Sequence, residues 1–228
     1  MYVKDHMTTN PHTVTADTSV SKALEIMGMN HFHRLPVTDD NGRLIGLVTE
    51  GLVSETSGKN TTSLSIYELN YLLSRTKVKD IMIKDVRTIS PDVFLEEAAS
   101  AMLENGISVL PVVEKDNKVI GIITEKDIFQ AFVELMGYRS QGTRFVIRCE
   151  DKPGVFAKAT ALFAQEDANL ESLAVYHTER GVEVVVKATG VVPVETMTNV
   201  LTDNGFNVTN VVQTKKDGKR IVWVSKDI

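Results

Sequence analysis

The sequence repeats itself at an offset of 75 residues. Val3-Lys4-Asp5-His6-Met7 falls on Val78-Lys79-Asp80-Ile81-Met82, and Leu35-Pro36-Val37 falls on Leu110-Pro111-Val112. Ile45-Gly46-Leu47-Val48-Thr49-Glu50 falls on Ile120-Gly121-Ile122-Ile123-Thr124-Glu125. Between 3–53 and 78–128, 16 of 51 aligned positions are identical without a gap. Chance pairing at roughly 6% per position gives about 3, so the unit is duplicated. A unit of roughly 50 residues cannot bury a full sheet face by itself. The two copies are therefore expected to pack together about a pseudo-two-fold axis, with a cleft between them as the place for a ligand.

Each copy reads as a β/α unit. A short helical turn leads into a threonine-rich strand, Thr13-Val14-Thr15 or Thr88-Ile89-Ser90, and Asp17 and Asp92 stand where helix N-caps are expected. Leu95, Ala98, Ala99, Met102 and Leu103 follow at helical spacing, and Asn105-Gly106 ends that helix. Two strands, Val109–Val113 and Val119–Thr124, are joined by a turn at Lys115-Asp116-Asn117, and a helix begins near Lys126. The turn of the first copy is Asp39-Asp40-Asn41-Gly42. Between the copies, residues 54–65 carry the composition of a flexible loop. Ser65 with Glu68 then forms a capping-box pattern before a short helix through Leu73, which either packs on the repeat or serves for docking.

Beyond a polar hinge at 138–143 the pattern changes. Arg144–Glu150 alternates, with Phe145, Ile147 and Cys149 on one face. A turn at Asp151-Lys152-Pro153-Gly154, a helix, a strand to His177, a strand over Glu183–Thr189, a helix over 193–204 stopped by Gly205, and a strand over Phe206–Thr214 complete the order βαββαβ. Residues 215–228 form a tail in which Ile221–Val224 is a further strand; it either caps the sheet edge or pairs with a second subunit.

The net charge of −5 and the lack of a basic stripe argue against a nucleic-acid partner. One cysteine, Cys149, cannot form an intrachain disulfide. Neither a secretory leader at the N-terminus nor an apolar stretch of membrane-spanning length is evident, so a cytoplasmic protein with no membrane partner is expected. His31 and His33 lack the ligand partners of a metal site. The chain holds no nucleophile elbow, Walker loop, zinc spacing or convincing carboxylate pair, which argues against an enzyme.

Residues 1–137, through these repeated motifs, resemble a tandem CBS domain pair: repeat one over 1–56, a connector over 57–75 and repeat two over 76–137. The fold implied is α/β, two β/α repeats with pseudo-two-fold symmetry. The resemblance implies that the segment Gly121-x-x-Thr124-x-x-Asp127 closes an adenine-nucleotide site. Asp127 would accept from both ribose hydroxyls, and Thr124 and the helix start would favour phosphate. Asp85, Val86 and Thr88, with Val109, Leu110 and Pro111, would hold adenine. Arg34 either projects into the cleft to neutralise phosphate or is a solvated surface residue. The first copy keeps Gly46 and Thr49 but has Leu52 at the aspartate position, so its site is expected to be weak or empty. The Thr-x-x-Asp pattern is also a good helix cap in its own right.

Residues 144–214, through Asp151-Lys152-Pro153-Gly154-Val155-Phe156 and Ala168-Asn169-Leu170-Glu171-Ser172-Leu173, resemble an ACT domain, a ferredoxin-like α+β fold. The resemblance implies a small-metabolite site, such as one for an amino acid, at Asp151, Pro153, Gly154 and Val155 with Asn169 and Leu170 opposite. A pairing fold without ligand is the alternative. A CBS pair followed by an ACT domain is similar to acetoin-utilisation AcuB-type proteins. The expectation is a non-enzymatic regulatory sensor with no required cofactor. AMP, ADP or ATP would be its regulatory ligand; a cyclic dinucleotide or S-adenosylmethionine are alternatives. The chain would form a homodimer and act on an unknown regulated protein. A ligand-free interaction scaffold and, behind it, an enzyme are the competing readings.

Overall fold

In the computed structural model, which describes residues 1–58, 65–179, 181–189 and 192–224, the first copy opens with α1 (Val3–His6), β1 (Thr8–Thr9) and β2 (Val14–Thr15). It continues through α2 (Val20–Asn30), β3 (Arg34–Thr38), β4 (Leu44–Thr49) and α3 (Glu50–Gly58). After α4 (Ile66–Arg75), the second copy runs α5 (Val78–Ile81), α6 (Leu95–Asn105), β5 (Val109–Val113), β6 (Val119–Thr124) and α7 (Glu125–Leu135). Contacts divide the chain into units Met1–Phe129 and Gln130–Ile228, a division that falls inside α7. No helix of the described residues is long and apolar enough to cross a membrane.

Local chemistry explains most of these elements. Leu95, Ala98 and Met102 give α6 one buried face, and Gly106 ends it in the left-handed region at φ 61°. Ser65 Oγ accepts from Glu68 N while the Glu68 carboxylate accepts from Ser65 N at 2.8 Å, so the capping box of α4 is formed.

Three expectations are corrected. Asp17 and Asp92 are not N-caps: α2 is capped by Ser19 and α6 starts after Phe94. Both aspartates instead pair with lysines of the other repeat. The 54–65 stretch is not a loop from its start, because α3 continues to Gly58 and Ser54 Oγ donates to Glu50 O within the helix. Residues 59–64 of the expected loop lie outside the described residues, as do residue 180 of the turn after His177 and tail residues 225–228. Thr88–Ser90 is not a full strand; Ile89 alone bridges in parallel to Val112.

The two repeats exchange their first segments. Val3 N and Lys4 N donate to Val93 O and Pro91 O of the second repeat, and β1 pairs with β6. Reciprocally, Val78 N and Lys79 N donate to Thr18 O and Ala16 O of the first repeat, and Ile83 bridges to Leu47. Val3 and Val78 are both fully buried, and Val78 sits in the first repeat's core with Val20, Ala23, Leu35, Val37 and Val48. The sheets are β1-β6-β5 and β2-β3-β4, and the hairpins meet where Leu44 N donates to Asn117 O and Val119 N to Gly42 O.

The second unit continues with β7 (Gly142–Cys149), α8 (Val155–Gln165), β8 (Asn169–Thr178), β9 (Gly181–Thr189), α9 (Val194–Asp203), β10 (Asn207–Thr214) and β11 (Arg220–Val224). The sheet order is β11-β10-β7-β9-β8. Phe145, Ile147, Val184, Val186 and Val211 line one sheet face and form a single core with Phe163, Met197 and Leu201 of the helices. In the tail, β11 pairs antiparallel with β10 from Asn210↔Val224 to Thr214↔Arg220 and forms an outer strand of the sheet.

Candidate functional site

Thr124 ends β6, and α7 begins one residue later. The N–H and the hydroxyl of Thr124 both donate to Asp127 Oδ2, at 2.8 and 2.7 Å. Asp127 N returns a longer bond of 3.4 Å to Thr124 Oγ1. This is a capping box, and it aligns the carboxylate with the positive end of the helix. Each carboxylate oxygen has about two acceptor positions. The two donors from Thr124 fill those of Oδ2, so the acceptor capacity facing away from the cap is that of Oδ1.

Arg34 points at the second repeat. Its Nη2 donates to Ser108 Oγ at 2.5 Å, and Ser108 O accepts from Glu125 N at 3.2 Å. Ser108 precedes Val109, which pairs across the hairpin with Thr124. One chain of contacts thus runs from a first-repeat guanidinium to the start of α7, with Asp127 on its first turn. Arg34 is half-buried and held at Ser108 rather than lying free on the surface. Ser108 was not singled out from sequence, because a lone serine before a strand carries no signal.

The remaining candidates fall into place unevenly. Thr88 is brought beside Pro111, since Ile89 N donates to Pro111 O at 3.0 Å. Asp85 and Thr88 are exposed and Val86 is half-buried. Leu110 is fully buried, so its side chain belongs to the core and only its backbone can face a ligand. Gly121 has a packing role: a Cβ there would collide with Met7 Sδ, as one on Gly46 would with Met82 Sδ. An open groove of about 630 Å³ runs along Thr88–Asp92 and Val113–Asp116, sharing only Thr88 with the candidate set. With three carboxylates against Lys115, it does not suit phosphate.

In the first copy Thr49 Oγ1 accepts from Leu52 N at 3.2 Å, so the cap persists without its carboxylate. His33, which was read as lacking an acidic partner, has one, Glu50, with Nδ1 and Oε2 2.7 Å apart. Among the described residues no group of three potential metal-ligating side chains occurs.

In the second unit the candidates separate. Asp151 lies beyond the Cys149 end of β7, where its Oδ2 meets His177 Nε2 at 3.3 Å. Asn169 pairs with Thr189 and Leu170 with Ala188, and Ala188 is the partner of Thr143 at the other end of β7. At about 3.3 Å per residue the two groups stand roughly 20 Å apart within one chain. One copy therefore does not bring the two groups together, and the site implied by the resemblance would need a second, paired domain to do so. Gly154 is required by φ 84°, with open space about it rather than a close neighbour. Pro153 is exposed, and Val155 packs against the core. A groove of about 450 Å³ beside Asp151 also takes in Arg148, Cys149, His177 and Gly181. The Cys149 thiol is pushed up by burial first and by the Asp151 charge second.

The family model for the CBS domain matches residues 3–53 and 78–134, and that for the ACT domain matches 143–197. The chain is 33% identical over 176 residues to an inosine-5'-monophosphate dehydrogenase of Methanocaldococcus jannaschii, covering 77% of this chain but 32% of that enzyme. The chain likewise spans only 24% of a homoserine O-acetyltransferase of Methanohalobium evestigatum, so it covers about a third or less of these curated relatives. Among solved structures, an acetoin utilization protein (AcuB) from Vibrio cholerae aligns with TM-score 0.51 and 28% identity, over 60% of this chain and 93% of that one. CBSX2, solved in complex with AMP, aligns with TM-score 0.51 and 33% identity, over 58% of this chain and 97% of that one.

Proposed function

Since the chain belongs to the CBS-domain proteins, as a CBS pair followed by an ACT domain, we propose that it is a regulatory sensor without catalytic activity that binds an adenine-containing ligand at its second repeat. The observation that carries this reading is the state of Asp127. Its Oδ2 is spent on Thr124, and Oδ1 offers two acceptor positions for the two ribose hydroxyls. Arg34, held at Ser108 by one nitrogen, keeps further N–H donors for phosphate. The AMP complex of CBSX2 supports an adenine nucleotide as the ligand class. AMP, ADP and ATP share the ribose and adenine contacts invoked here. A small metabolite such as an amino acid would bind at the Asp151–Val155 turn of the ACT domain. Exposed apolar side chains on α4 (Tyr67, Tyr71, Leu72) and α7 (Phe129, Phe132, Leu135) support a homodimer.

Calorimetric titration of the full chain with AMP, ATP and S-adenosylmethionine tests the reading. The decisive variant is Asp127→Asn. Its amide oxygen still accepts from Thr124, so the helix cap survives, while the other acceptor becomes an amide donor that can no longer accept from the ribose hydroxyls. Losing a charged acceptor should weaken binding by about 10- to 100-fold with little change in melting temperature. Equal affinity in that variant, or no binding of any adenine compound by the parent, would overturn the proposal; the second result would leave a ligand-free interaction scaffold.

A further inference from the structure

The face of the five-stranded sheet opposite the helices carries a concentration of positive charge unusual in a chain of net charge −5. Arg144 of β7 pairs with Lys187 of β9 on one side and Val212 of β10 on the other. Cross-strand partners point to the same face, so the two cations are direct neighbours. Next to them, Arg220 pairs with Thr214 at the start of β11. Together with Gly137 and Tyr138, these residues enclose a cavity of about 30 Å³. That is the room one water or one anionic oxygen needs.

The charges are poorly compensated. Lys187 is only 2% exposed, and its ammonium donates to Ser140 O at 2.9 Å, a neutral acceptor. Arg144 Nε is buried with no hydrogen-bond partner among the described residues. Arg220 stacks over the Tyr138 ring and donates to its hydroxyl. One carboxylate acts on Lys187, that of Glu171, and it is tied to Ser140 Oγ at 2.7 Å. Three cations face one carboxylate around this partly enclosed cavity; Arg220 is exposed, but for buried Lys187 and half-buried Arg144 the imbalance costs free energy unless an anion joins them. Burial, and after it the Arg144 and Arg220 charges, push the Lys187 ammonium below the usual lysine range.

We propose that Arg144, Lys187 and Arg220 form a binding pocket for the carboxylate or phosphate group of a small anion, with Arg144 Nε supplying an unused donor. The pocket is separate from the Asp151–Val155 turn: it lies toward the opposite end of the sheet, and it does not depend on the adenine site.

The test is thermal unfolding and calorimetry of the full chain with sodium phosphate and sodium acetate, against sodium chloride at matched ionic strength. The expected result is a saturable stabilisation by phosphate or acetate beyond that given by chloride, with the better of the two naming the anionic group. Arg144→Gln should weaken it at least tenfold. Lys187→Met replaces a buried cation with an apolar chain of similar length, so it should keep the fold and abolish the response. Asp127→Asn should leave the response intact. Equal responses to all three salts, no saturable response, or an undiminished response in Arg144→Gln and Lys187→Met would overturn the proposal.

Discussion

Lys79 Nζ lies 2.7 Å from Asp17 Oδ1, and the equivalent pair one repeat away, Lys4 Nζ and Asp92 Oδ1, lies at 2.8 Å. Each pair joins the first turn of one repeat to the start of the other repeat's helix. All four side chains are about half exposed or more, so solvent screens both pairs. The hydrogen bond from Lys79, and after it the Lys79 charge, lower the Asp17 carboxyl, so this contribution is present above the ordinary carboxylate range and fades as pH falls through the lowered value. Asp17→Asn should therefore shift the urea midpoint little at pH 7. The buried valines beside these lysines carry more. Val78→Ala removes two methyls from a site with no exposure and should cost about 1.5–3 kcal/mol in the same experiment.

Gly121→Ala should destabilise the protein by about 1–3 kcal/mol, because its Cβ would overlap Met7 Sδ. Met7→Ala in the same chain should return most of that loss. A double-mutant cycle showing simple additivity would remove the packing explanation for this glycine.

Leu52→Asp gives the first copy the carboxylate that its cap lacks, three residues after Thr49. The adenine-nucleotide stoichiometry measured by calorimetry should rise from one per chain towards two. An unchanged stoichiometry would mean that position 52 is not what disables the first copy.

The repeat, the hairpins and the second unit's strand order were legible because their signals are local: alternation, turn residues and helical spacing within one element. Thr124 and Asp127 were legible for the same reason, being three residues apart. What sequence hid was set by distance along the chain. The partners of Asp17 and Asp92 lie 62 and 88 residues away, so both aspartates looked like caps. Arg34 meets Ser108 across 74 residues, and no periodicity reports that. Arg144, Lys187 and Arg220 become neighbours only through strand register. Register also places Asn169 and Asp151 at opposite sheet ends within one chain, a separation no local pattern reports.

Lys187 makes stability depend on alkaline pH with a definite sign. Its folded value is lowered, so between that value and the ordinary lysine value the unfolded chain binds more protons than the folded one. Stability should rise with pH across that window, and Lys187→Met should flatten the slope. Denaturant titrations at several pH values measure both.

Cys149 should be slow to alkylate at neutral pH, since burial and Asp151 both disfavour its thiolate. Its rate with iodoacetamide should lie below that of a free thiol at pH 7.5 and climb as pH increases. Asp151→Asn should speed it modestly.

The exchanged first segments make the repeat pair an interlocked object. A lone copy has no mate for its own opening turn and would have to borrow one from a second molecule. A chain with a single copy is thus a swapped dimer in the making, and duplication turns that dimer into one polypeptide. Cutting the chain between the copies should leave two fragments still clasped through Val3 and Val78, each holding the other's sheet.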